Sequence, residues 1–147
     1  MYPFILSVHI LAATLWTGGH LILALGFLPE ALRNRDAGLI QQFEQRYERI
    51  GLPAMGIQVL SGLWLAHVQQ PDWRQWFGFL DSTAALISLK LGLLALTVVL
   101  ALHARLRLIP NLGPASLPAL ALHIGAVTLL SVLFVLAGVG FRLRGFF

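Results

Sequence analysis

Four runs of roughly twenty apolar residues, nearly free of charge, constrain this chain more than any other feature. They cover about residues 3–28, 50–68, 83–106 and 117–141. As helices rising about 1.5 Å per residue, each can cross about 30 Å of hydrocarbon, where the backbone has to satisfy its own hydrogen bonds. The expected fold is therefore all-α: a single transmembrane domain over residues 1–147, built as an integral membrane antiparallel four-helix bundle. With 58% hydrophobic and 11% charged residues and a mean hydropathy of +0.81, the chain falls outside the range of water-soluble domains. The first run has no Lys or Arg ahead of it and is too long for the apolar part of a secretory signal, so it reads as a true membrane helix.

The connections set the orientation. In "PEALRNRDAGLIQQFEQRYERIGLP", Leu39, Phe43, Tyr47 and Ile50 recur at helical spacing. They predict an amphipathic interfacial helix between the first and second spans, capped by Asp36, lying at the inner interface and running into the second span. In "VQQPDWRQWFGFLDS", Trp73, Trp76 and Phe77 beside Arg74 suit the aromatic belt of the outer interface, and His67 at the end of the second span is expected in solvent. "RLIPNLGPAS" is a Pro/Gly turn between antiparallel helices. Arg33, Arg35, Arg46, Arg49, Arg105 and Arg107 fall in the first and third connections, against Arg74, Arg142 and Arg144 on the other side. The positive-inside rule then puts both termini on the periplasmic face of a bacterial cytoplasmic (inner) membrane. The formal charge of +4 sits mostly at helix ends, where arginines reach lipid phosphate, so the lipid bilayer is the expected partner and nucleic acid is not. A homo-oligomer is compatible with this composition.

Within the first span, "SVHILAATLWTGGH" carries two histidines and no charged residue. Eleven residues make almost three helical turns, so His9 and His20 share a face about 16 Å apart along the axis. Ionisable side chains inside a membrane usually face the bundle interior and mark functional sites. The plain alternative is an imidazole that hydrogen-bonds a neighbouring helix, worth about 0.6 kcal/mol. Sorting polar groups by depth gives two layers: His9 with Lys90 in the outer third, and His20 with His123 in the inner third, with His103 as a reserve ligand nearer the surface.

Two nitrogen bases facing each other across an apolar bundle suit haem b, whose iron takes axial ligands from opposite sides. One or two haems are expected, ligated by His9 and Lys90 and by His20 and His123, with Arg74 outside and Arg46 or Arg49 inside as propionate partners. A lysine ligand has to be neutral, the form that a low-dielectric setting favours. Copper is the competing metal, since imidazole suits it too. No cysteine and only Met1 and Met55 argue against a route lined by soft sulfur, though not against a histidine copper site. The absence of phosphate-loop and zinc-protease motifs leaves no hydrolytic signature, so any catalysis would be that of a haem-dependent oxidoreductase.

Three segments carry a family resemblance: "HILAATLWTGG", "FEQRYERIGLPAMGIQVLSGLWL" and "LKLGLLALTVVLALHARLRLIPNL". Together they resemble the CopD-type four-helix membrane proteins of copper resistance and uptake, and their relatives the HemJ-type protoporphyrinogen oxidases. The HemJ resemblance implies haem b binding through the residues matching His9 and Lys90, with a quinone, a porphyrinogen or a redox partner protein exchanging electrons. The CopD resemblance implies copper binding or transport. Glu30 follows Pro29 where the HemJ type has arginine, and His20 and His123 are not in its pattern, so the wider superfamily is the better match.

Overall fold

The computed structural model describes residues 1–78, 81–113 and 115–143, and side chains as far as Phe141. Pro114, Arg144 and the side chain of Arg142, which enter the turn and charge readings above, lie outside the described residues. The described chain is helical and strand-free. Helix α1 (Tyr2–Ile22) continues through a π-helical turn at Leu23–Phe27 into α2 (Leu28–Asn34); α3 runs over Ala37–Gln69, α4 over Ser82–His103 and α5 over Leu117–Leu143. A second π-helical turn, Ala104–Leu108, and a 3₁₀ turn, Ile109–Asn111, extend α4. Four continuous rods of 33, 33, 30 and 25 residues result, each long and apolar enough to cross a membrane.

Both π-helical turns have a local cause. Proline lacks the backbone donor and its ring collides with the carbonyl four residues earlier. For Pro29 and Pro110 that carbonyl belongs to Leu25 and Leu106, each inside a widened turn. The wider turn accommodates the ring without breaking the rod. Pro53, in contrast, lies within an uninterrupted α3.

The link between α2 and α3 is tight. Arg35 adopts the left-handed conformation (φ 53°, ψ 34°) that usually takes glycine, the Asp36 amide donates to the Ala31 carbonyl at 2.9 Å, and the Asp36 side chain accepts from the Gly38 amide at 2.8 Å. The predicted Asp36 cap is thus present. Asp81 caps α4 in the same way, accepting from the Ala84 amide at 2.7 Å. The amphipathic segment is the first part of α3, collinear with the second span and laid antiparallel along the first rod. Its packed face differs by a small rotation from the expected one. Ile40 is fully buried, Gly51 and Ala54 are buried, and Ile50 is exposed, so the seam runs Ile40, Phe43, Tyr47, Gly51, Ala54. Glycine and alanine carry little hydrophobic signal, and a periodicity search that favours large residues places Ile50 on the face instead.

The bundle is packed at one end and hollow at the other. Leu23, Leu28, Ala31, Ile40, Leu117, Leu120 and Ile124 form a solid cluster at the end that holds the two π-helical turns. In the half that holds the start of α1 and the end of α5, the four long helices surround a cavity of about 650 Å³. α1 lies against α3 and α5, and α4 against α5, whereas α3 and α4 do not pack closely on each other.

Candidate functional site

His9 from α1 and Lys90 from α4 both line this cavity, together with Trp16, Met55, Gln58 and Phe141. Ser61 orients His9. Its hydroxyl donates to the Ile57 carbonyl at 2.5 Å, so its oxygen is left to accept from His9 Nδ1–H at 2.9 Å. Neutral His9 then carries its proton on Nδ1 and keeps the Nε2 lone pair, the form in which imidazole binds a metal. Gly62 makes space for the ring: a Cβ there would stand 3.1 Å from His9 Cε1. Lys90 Nζ lies 4.7 Å from the centre of the Phe141 ring, within cation–π range, and a Cβ on Gly138 would touch it at 3.9 Å.

Ser61, Gly62, Gly138 and Phe141 were not singled out by sequence. Ser61 and Gly62 do sit inside the quoted "SGLWL", but one sequence cannot show that a serine and a glycine on α3 face a histidine on α1. The propionate partners come out differently too. Arg74, the partner expected on the outer side, is exposed on the connection after α3 and does not line the cavity; Arg46 and Arg49, expected on the inner side, are exposed on the charged part of α3. The cavity's polar lining comes instead from Tyr2, Thr14, Gln58, Gln69 and Thr97 beside His9 and Lys90.

The inner histidines are sorted differently from the depth reading. His20 Nδ1–H donates to the Trp16 carbonyl at 2.9 Å, and its ring packs 4.4 Å from Trp16 and 5.9 Å from Tyr47. His123 has His103 as its ring neighbour, at 5.7 Å. The depth estimate slipped because the helices are staggered: Thr128, five residues beyond His123, is the α5 residue that donates to the His20 carbonyl, at 3.3 Å. Leu23, Leu120 and Ile124, neighbours of these histidines along α5 and the first rod, belong to the buried cluster of that end. Among the described residues no group of three or more His, Cys, Asp or Glu side chains gathers in metal-binding geometry.

Comparison with known proteins supplies the decisive observation: the profile of the family described as copper resistance protein D, CopD, matches residues 41–141. The chain belongs to the CopD family. The match covers well over half of its length and takes in Lys90, His103 and His123, while His9 and His20 lie ahead of it. No curated protein and no solved structure matches the chain. This CopD-family protein is thus an integral membrane protein by its four apolar rods and a member of a copper-resistance family by its sequence.

Proposed function

We propose that the protein binds one haem b in the cavity between its helices, with His9 and Lys90 as ligands, and exchanges electrons with a membrane-soluble or protein partner. The observation that carries the reading is the cavity itself. At about 650 Å³, with largely apolar walls and two nitrogen donors contributed by different helices, it suits a large, flat, apolar ligand far better than a bare ion. A bound haem would supply one-electron chemistry. His9 offers Nε2 in a tautomer set by Ser61, and Lys90 lines the same largely apolar cavity from α4. Gln58, Gln69 and Tyr2 offer hydrogen bonds to polar edges in place of the arginines first expected. Quinones and porphyrinogens are the partner classes consistent with a site embedded in lipid. The proposed setting is the bacterial inner membrane with periplasmic termini, which places the cavity in the outer half.

A second reading has its own support. The CopD match and the presence of both Met55 and His9 in the cavity lining favour copper binding or passage. The absorption spectrum of protein purified from haem-supplied cells, combined with metal analysis, decides between them. The haem reading expects about one haem per chain and a Soret band that moves on dithionite reduction. His9→Ala and Lys90→Ala should each remove or shift that band while the protein still inserts. Wild-type protein with no Soret band overturns it; copper that disappears with His9→Ala in such protein establishes the second reading.

A further inference from the structure

Where α3 ends and α4 begins, a second and smaller hollow of about 350 Å³ adjoins the main cavity. Gln69, the last residue of α3, and Ser82 and Thr83, the first two of α4, give it an amide and two hydroxyls, and Leu86 and Phe141 complete its wall. The lining is polar for its size and holds no ionisable side chain, whereas the main cavity is largely apolar and holds His9 and Lys90. Gln69 and Phe141 border both spaces. Gln69 is exposed at the rim, but Phe141 is half-buried on α5, so its ring is the partition between the two. Lys90 Nζ stands 4.7 Å from the centre of that ring, and among the described residues no carboxylate pairs with Lys90 to draw the ammonium away.

From this arrangement we infer that the smaller hollow is the water-side entrance of the main cavity and that the Phe141 ring, held by Lys90, is its gate. Position and lining both argue for water at the entrance. It lies where two spans end, beside a connection whose Asp72, Arg74 and Asp81 are exposed, at the level where hydrocarbon gives way to headgroups and water. Hydroxyl and amide groups both donate and accept, so they can stand in for the hydration of a small polar solute. With neither sign of charge in the lining, the class admitted is water and small hydrophilic molecules. A change of side-chain rotamer at Phe141 is enough to join the two spaces, with no movement of a helix. The inference does not depend on what fills the cavity.

The chain has no cysteine, so introduced cysteines report access one position at a time. Leu86→Cys samples the entrance and Leu94→Cys the main cavity. Labelling rates are measured in lipid nanodiscs, on protein purified without added haem or metal, with a charged methanethiosulfonate that does not enter lipid and, in parallel, with a lipid-soluble maleimide. Leu86→Cys is expected to react readily with the charged reagent whatever stands at 141. Leu94→Cys should react slowly by itself, about tenfold faster when combined with Phe141→Ala, and faster also with Lys90→Met, which keeps an unbranched chain but removes the cation that holds the ring. Phe141→Trp should slow it further, and Phe141→Leu should fall between phenylalanine and alanine. An unchanged Leu86→Cys rate in these double variants shows that the fold is kept. A Leu94→Cys rate that Phe141→Ala leaves unaltered overturns the gate. Reaction of Leu86→Cys with the maleimide but not with the charged reagent overturns the water-side entrance and assigns the opening to lipid.

Discussion

Ser61 has one hydroxyl proton, and because that proton is directed at the Ile57 carbonyl, the oxygen meets His9 as an acceptor. The orientation of a cavity-lining histidine is thereby set by a residue that does not itself line the cavity. Ser61→Ala removes the acceptor and lets the His9 ring turn or exchange tautomers. Losing such an orienting partner typically weakens a ligand site by about 10- to 100-fold. The expected outcome is faster ligand loss from the cavity in Ser61→Ala, near-wild-type retention in Ser61→Thr, and little change in thermal stability for either, measured by the decay of the bound-ligand absorption. Sequence made His9 legible, because an imidazole in an apolar run is conspicuous. It could not make Ser61 legible, because serine bonding to its own helix backbone is ordinary.

At the level of elements, α1 and α3 are held together by a side chain in a notch. Tyr47 sends its hydroxyl to the carbonyls of Leu15 and Trp16, 3.0 Å from each, and its ring occupies the space that a side chain on Gly19 or Gly51 would need. Of the adjacent glycines, only Gly19 faces this contact; a Cβ on Gly18 would meet nothing within 4 Å. Gly19→Ala should therefore force α1 and α3 apart, at the cost of about 1–3 kcal/mol usual for overpacking. Gly18→Ala should be neutral or slightly stabilising, since alanine favours the helix. Thermal denaturation in detergent of the two variants, side by side with wild type, checks the difference. The pair of glycines was legible as a place of close approach. Which of them makes the contact depends on the rotation of α1, and its weak amphipathicity leaves that rotation undetermined by sequence.

For the molecule as a whole, the division into a packed end and a hollow end matters most. Leu23, Ile40, Leu117 and Ile124 fill one end, while small residues such as Gly62, Ala66 and Gly138 leave room at the other. Arg105 on the turn after α4 pairs with Glu48 on α3 at the charged end, an exposed bond of little stabilising value. That end also carries most of the arginines, so the positive-inside rule predicts that the packed end faces the cytoplasm and the cavity faces outward. Cysteine labelling of residues in the connection between α3 and α4, and at the amino terminus, is expected to succeed from the outside of intact cells, and labelling between α1 and α3 to fail. The opposite pattern reverses the orientation and turns the cavity towards the cytoplasm.

The sequence by itself determined the number of rods, their membrane setting, the Asp36 cap and the prominence of His9 and Lys90. These follow from local quantities: apolar length against bilayer thickness, capping chemistry, and the cost of an ionisable group in hydrocarbon. Only the tertiary structure decided which histidines meet. A stagger of a few residues between helices carries a side chain from one neighbour to another, as where Thr128 rather than His123 lies level with His20, and it is fixed by packing between helices, not by depth along any one helix. For the same reason the cavity could not be read from the chain, because empty space belongs to four helices at once.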